Sequence, residues 1–189
     1  YFGSVSYDGW RHLYFIYPSF LLISILSLHL IKVIFFRRKN NYLYILCIIL
    51  ITPTAFWMYK NHPFQYVYFN LLAGKNFNEK FEMDYFGVSN KNVLEYIIAK
   101  EDKKVRIYNL STTDLNLSKK ILKKEMRGRI TVVGDIKNAD YITNNYRDWY
   151  GKLKPTKSMI PKDFKIFYEI KVDDVPINTI YKKKKEIVN

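Results

Sequence analysis

The sequence predicts a membrane α-helical hairpin of two transmembrane helices, followed by a small α/β (or α+β) extracytoplasmic domain. Three observations predict it. Two long apolar runs lie near the start, residues 13–36 and 42–59. The loop between them, residues 37–41, carries Arg37, Arg38 and Lys39. After residue 81 the pattern changes to short, alternating helical and strand-like stretches rich in lysine. The expected division is an outer segment 1–12, the two helices with their cytoplasmic loop, an interfacial aromatic segment 60–80 and an outer domain 81–189.

Taken in order, residues 1–12 are polar and aromatic, and Gly3, Ser4 and Gly9 interrupt any regular element. The run from Leu13 to Phe36 is long enough at 1.5 Å per residue to cross a hydrocarbon core of about 30 Å. Lys32, near its end, can snorkel to the surface. The second run, Tyr42 to Tyr59, carries Pro53, which a membrane helix tolerates when neighbours satisfy the freed carbonyl. The short basic loop belongs in the cytoplasm by the positive-inside rule, so both flanking parts are expected outside. The basic outer domain does not oppose this, because long domains translocate largely regardless of charge.

The seam that follows crowds Phe64, Tyr66, Tyr68, Phe69, Phe77, Phe81, Tyr85 and Phe86 among His62, Gln65, Asn70 and Asp84. Amphipathic rings of this kind settle at headgroup level. The spacing predicts an interfacial helix over Phe64–Leu72. Further on, Ser89 is expected to cap a helix through Ala99 with Val93, Leu94, Ile97 and Ile98 on one face. Val105–Tyr108, Ile130–Val133 and Tyr141–Thr143 read as strands, and Asp114 opens a second helix. Phe164–Val172 and Ile177–Tyr181 bracket Asp173-Asp174-Val175-Pro176 as a terminal hairpin.

Segregation explains the composition. Hydrophobic residues make up 49% of the 189, yet mean hydropathy is only −0.19. A formal charge of +14 would raise nucleic acid as a partner in a soluble protein. Beside two membrane helices, basic faces suit anionic lipid or lipid-linked phosphate instead. A nucleic-acid role for Lys182–Lys185 conflicts with an outer location, and no nucleic-acid partner is expected. The single cysteine, Cys47, lies inside an apolar run, which gives no disulfide framework and no thiolate metal site. The chain opens on Tyr1 with no charged n-region or cleavage site, so it reads as a fragment rather than a chain with a signal peptide.

Chemical motifs are sparse. There is no G-x-G-x-x-G, P-loop or Gly-x-Ser-x-Gly elbow. His12, His29 and His62 are too dispersed for a ligand motif, and no metal is expected. Asn109-Leu110-Ser111 and Asn116-Leu117-Ser118 match the glycosylation acceptor pattern, as chance matches in an Asn-rich chain do. Asp8, Arg11 and His12, just ahead of the first helix, could hold a phosphate through a bidentate guanidinium and an imidazole donor. Ordinary anchoring by Trp10, Arg11 and Tyr14 explains the same residues. Asp84 and Tyr85 offer a carboxylate beside rings, suited to sugar stacking; a capped turn explains them as well.

Three segments together resemble the C-terminal part of bacterial multi-pass glycosyltransferases of the GT-C superfamily, related to the protein mannosyltransferases of glycosyltransferase family 39. Asp8, Gly9, Arg11 and His12 match a D-G-x-R-H segment. His62, Pro63, Gln65, Tyr66, Tyr68 and Asn70 match H-P-[YF]-Q-Y-x-Y-[FY]-N, and Asp84, Tyr85, Gly87 and Ser89 match D-Y-[WF]-G-x-S. The resemblance implies transfer of a sugar from a polyprenyl-phosphate carrier to an extracytoplasmic acceptor. It also implies a multi-pass protein of the cell (inner) membrane, partnered by lipid, by the lipid-linked donor and by further upstream helices. The family's acidic base lies in an early loop absent from this chain, so no catalytic residue is assigned. His62, Tyr66, Asn70, Asp84 and Tyr85, with Asp8, Arg11 and His12, are the candidate substrate-binding residues, and no cofactor beyond the lipid-linked sugar is implied. The alternative is a non-catalytic membrane-anchored protein presenting a small outer binding or scaffold domain.

Overall fold

A computed structural model describes residues 14–36, 40–74, 80–147 and 159–184. The chain divides into two compact units, residues 1–56 and 57–189.

The first unit is helical. Helix α1 spans Tyr17–Phe35 and helix α2 spans Asn40–Lys60, whose last turn belongs to the second unit. Pro18 sits in the first turn of α1, where its missing N–H removes no helical bond. Both helices are long and apolar enough to cross a bilayer by length and composition. Large apolar side chains stay exposed around α1, Phe20, Leu22, Ile25 and Leu30 among them. A helix apolar on every side has no solvated face to present to water. Two hydroxyls inside these helices are satisfied locally: Ser24 Oγ donates to the Phe20 carbonyl at 2.8 Å, and Thr52 Oγ1 to that of Ile48 at 2.7 Å. Pro53 is accommodated within α2.

The second unit is a mixed sheet with short helices. Its elements are α3 (Ser89–Lys100), β1 (Val105–Asn109), α4 (Leu115–Lys120), α5 (Lys124–Arg127), β2 (Ile130–Val133), β3 (Tyr141–Asn144), β4 (Phe164–Val172) and β5 (Val175–Lys183). The strand order is β2-β1-β3-β5-β4. β1 runs parallel to β2 and β3, and β5 runs antiparallel to β3 and β4. Alternation along β1 buries Val105 and Ile107 and leaves Arg106 exposed, the period-2 pattern of a strand. The apolar face of α3, Val93, Leu94, Ile97 and Ile98, joins these residues with Ile130, Tyr141, Ile177 and Ile180 in the main core. A smaller cluster gathers Ala139, Ile142 and Phe164. The two-residue connection Asp173–Asp174 has φ of 48° and 63°, the mirror-image turn that matches strand twist.

Three expectations are corrected here. The stretch Phe64–Leu72 is not one amphipathic helix but two single turns, Gln65–Val67 and Leu71–Ala73, separated by extended backbone at Tyr68. Val67 is buried, and Phe64, Tyr66 and Phe69 pack against the domain core. Burial inward outcompetes a helical stripe facing outward, and the Asn70 side chain accepts from Leu72 N at 3.0 Å to hold a turn. The hairpin turn is two residues and not four, because Val175 and Pro176 already pair with Val172 and Lys171. Pro176 sits at a register irregularity, where a missing N–H is tolerated. Finally, the helix over Ser89–Lys100 is capped by Asp84 and not by Ser89, as described next.

Candidate functional site: a buried carboxylate at the carboxyl edge of the parallel strands

Asp84 has no exposed surface. It lies in the turn before α3, and its carboxylate reaches forward over the first turn of that helix. Oδ1 accepts from Val88 N at 2.9 Å, and Oδ2 from Ser89 N at 3.2 Å. A carboxylate there satisfies free helical N–H groups and complements the positive helix end. The Ser89 hydroxyl and the Tyr66 hydroxyl also donate to it. Asn145, just past β3, donates Nδ2 to the Asp84 carbonyl at 2.9 Å and more weakly to Oδ2 at 3.5 Å. Burial raises the carboxyl of Asp84 above the ordinary carboxylate range, and the bonds from Ser89, Tyr66 and Asn145 only partly oppose it. The Tyr66 phenol is likewise pushed up, by burial first and then by the neighbouring Asp84.

The network extends across the sheet. Asn178 on β5 donates to the Ser89 hydroxyl at 2.8 Å and to Asn90 Oδ1 at 3.0 Å. Asn90 in turn donates to Thr113 Oγ1 at 3.0 Å. Ser111 Oγ donates to Asn109 Oδ1 at 2.9 Å, and Thr143 to the same oxygen at 3.3 Å. These groups sit at the carboxyl ends of β1 and β3, where the chain order reverses from β2-β1 to β1-β3. In open sheets that edge is where ligands bind. Here it is filled by the protein's own amides. Gly87 makes the close packing possible: its φ is +65°, and a Cβ there would lie 2.8 Å from Asn90 Nδ2 and 3.0 Å from Thr113 Cβ.

The sequence-predicted residues divide clearly. Tyr66 and Asp84 are brought together as one hydrogen-bonded pair, half-buried and buried respectively. Tyr85 is beside them, its ring covered by the Arg147 guanidinium at 3.8 Å and its carbonyl accepting from Arg147 Nη1 at 2.9 Å. Arg147 also lies 3.7 Å from Glu82. His62 and Asn70 are exposed and act within their own turn, with Gln65 Nε2 2.6 Å from His62 Nδ1. Asp8, Arg11 and His12 lie outside the described residues. Among the described residues no cluster of three or more His, Cys, Asp and Glu side chains has a metal-holding arrangement.

Sequence reasoning missed Asn90, Asn109, Asn145 and Asn178. The signal was present: Asn109 closes β1, Asn145 directly follows Asn144 at the end of β3, and Asn178 lies within β5. It also missed an open groove of about 430 Å³ in which Tyr96 and Tyr168 stack with ring centroids 4.0 Å apart, beside Phe64, Asn92 and Glu95. Rings next to an amide and a carboxylate are the mixture that a sugar's C–H faces and hydroxyls require.

Compared with known proteins, the chain matches no family model, no curated protein and no solved structure.

Proposed function

We propose that this chain is the C-terminal portion of an integral membrane glycosyltransferase, moving a sugar from a polyprenyl-phosphate carrier to an acceptor outside the cytoplasm. In this reading α1 and α2 cross the inner membrane, the basic loop 37–39 is cytoplasmic, and the sheet domain is extracytoplasmic. The observation that carries the reading is the bonding of Tyr66 to Asp84 and of Asp84 to Ser89. These residues come from two separate motif-like segments, and their bonding joins the two segments at one point. Their role is to hold the post-helix segment against the domain. Asp84, sealed from solvent, is not the base of the reaction. The groove of Phe64, Tyr96 and Tyr168 is the sugar-compatible surface on the acceptor side. Arg11 and His12 would steady the departing lipid phosphate, whose developing charge such donors stabilise.

The test is transfer of a labelled hexose from polyprenyl-phosphate in proteoliposomes holding the full polypeptide. Arg11→Ala is expected to lower donor use by about 10²-fold, the usual loss for a charge-stabilising donor. Unchanged transfer and donor affinity would remove Arg11 from the site, and no transfer by the unaltered protein would remove the enzyme reading. That last result favours a membrane-anchored presenting module, for which the sheet edge filled around Asp84 by the protein's own side chains is the specific support.

A further inference from the structure

At the opposite, amino edge of the parallel strands lies an open groove of about 360 Å³. Five lysines line it: Lys103 and Lys104 from the turn before β1, and Lys182, Lys183 and Lys184 from the end of β5. Two carboxylates share the groove, but both are already engaged. Asp140 accepts from Arg106 Nη2 at 2.8 Å and Nε at 3.2 Å, and from the Arg106 backbone N–H at 2.9 Å. Glu101 Oε1 accepts from Lys182 Nζ and from the Tyr141 hydroxyl, each at 2.5 Å. The remaining ammonium groups have little to neutralise them. Lys183 lies 3.8 Å from Asp163 between half-exposed side chains and also acts on Asp140, which Arg106 already holds; Lys184 donates to a carbonyl, that of Lys162, at 2.9 Å. Lys103 and Lys104 make no ion pair or hydrogen bond among the described residues.

A solvated lysine face spreads its charges apart. This one draws them round a single concavity whose wall is fixed by the buried Tyr141, with Lys182 Nζ 5.0 Å from the Phe167 ring centre. Like charges gathered round one concavity repel, and an anion seated among them offsets that repulsion. Lysine binds phosphate as a mobile point charge with three donors and needs no planar fork. We infer that this groove binds a phosphate-bearing anion of two or more negative charges, supplied either by a lipid headgroup or by a free diphosphate. The inference does not rest on the sugar-transfer reading.

Lysine acetylation mapped by mass spectrometry on the full chain in nanodiscs tests it. Inorganic pyrophosphate added to phosphatidylcholine discs, against chloride of equal ionic strength, probes the free anion; cardiolipin-containing discs without added anion, whose headgroup carries two phosphates, probe the lipid. Selective slowing at Lys103, Lys104, Lys183 and Lys184 is expected in one arm, and the arm identifies the source. Exposed Lys124 and Lys171 serve as controls. The exposed pair Lys103→Glu with Lys104→Glu is expected to weaken the protecting anion about tenfold or more, since like charge is now opposed to it. No slowing in either arm, or equal slowing at the control lysines, overturns the inference.

Discussion

A carboxylate without exposed surface is an expensive group to fold around unless donors surround it. At Asp84 the donors are the hydroxyls of Tyr66 and Ser89, the N–H groups of Val88 and Ser89, and the Asn145 amide. Burial still raises its carboxyl, so the folded protein holds a proton that the unfolded chain releases near pH 4, the ordinary aspartate value of about 3.9. The contribution is therefore full below that value and is lost as pH rises through the folded one. Asp84→Asn keeps the shape but offers one acceptor oxygen where two are used. It is expected to destabilise the protein by about 1–3 kcal/mol, most at acid pH, with the gap to the unaltered protein narrowing as pH rises. Apparent melting temperature in detergent across that range checks it; a gap that widens with pH would mean that Asp84 is held ionised. At this scale the sequence was partly legible. Asp84, Tyr85 and Tyr66 stood out as a polar-aromatic group, but nothing local distinguishes a carboxylate that caps a helix five residues on from one that faces a sugar. Ser89 looked like the cap because hydroxyl caps adjoin their helix in sequence, whereas Asp84 reaches its helix over a turn permitted by Gly87.

Among elements, the sheet was more legible than the seam. β1 follows from period-2 alternation and the buried face of α3 from period-3.6 spacing, whereas β3, buried along its whole length, shows no alternation and is read only as a short run bounded by turn residues. The seam failed as a helix because its rings have competing partners. Trp57 meets Tyr68 at 4.9 Å, and Phe69 stacks on Phe81 at 5.1 Å. Those contacts cross sequence distances that a helical wheel cannot see. Not every apolar group turns inward: Leu72 is 93% exposed and Phe86 73% exposed, which leaves surface for the headgroup region in the membrane reading. The β4–β5 hairpin supplies a direct test at this scale. Asp174 holds φ of 63°, a region in which glycine carries no Cβ penalty. Asp174→Gly is expected to stabilise the hairpin by about 0.5–1 kcal/mol, read as slower hydrogen exchange along β4 and β5. Asp173 is left in place because its Oδ2 accepts from the Trp57 indole at 2.6 Å. Faster exchange in Asp174→Gly would show that the aspartate makes a contact worth more than its backbone strain.

For the whole molecule, the two apolar helices and the mixed sheet were both legible from segregated composition, because a hydrocarbon-length apolar run and an alternating amphipathic pattern have different physical solvents. The strand order was not, since β3 returns to the far side of β1 through only residues 134–140. The membrane account depends on which side each part occupies, and the single native cysteine makes that measurable. In a Cys47→Ser background, a membrane-impermeant maleimide can be offered to intact cells carrying Leu117→Cys, on the exposed surface of α4, or Arg38→Cys, in the basic loop. Labelling of Leu117→Cys in intact cells, with Arg38→Cys labelled only after permeabilisation, is the expected result. Labelling of Arg38→Cys from outside, or of both sites in intact cells, would contradict a hairpin that carries the domain to the outer face.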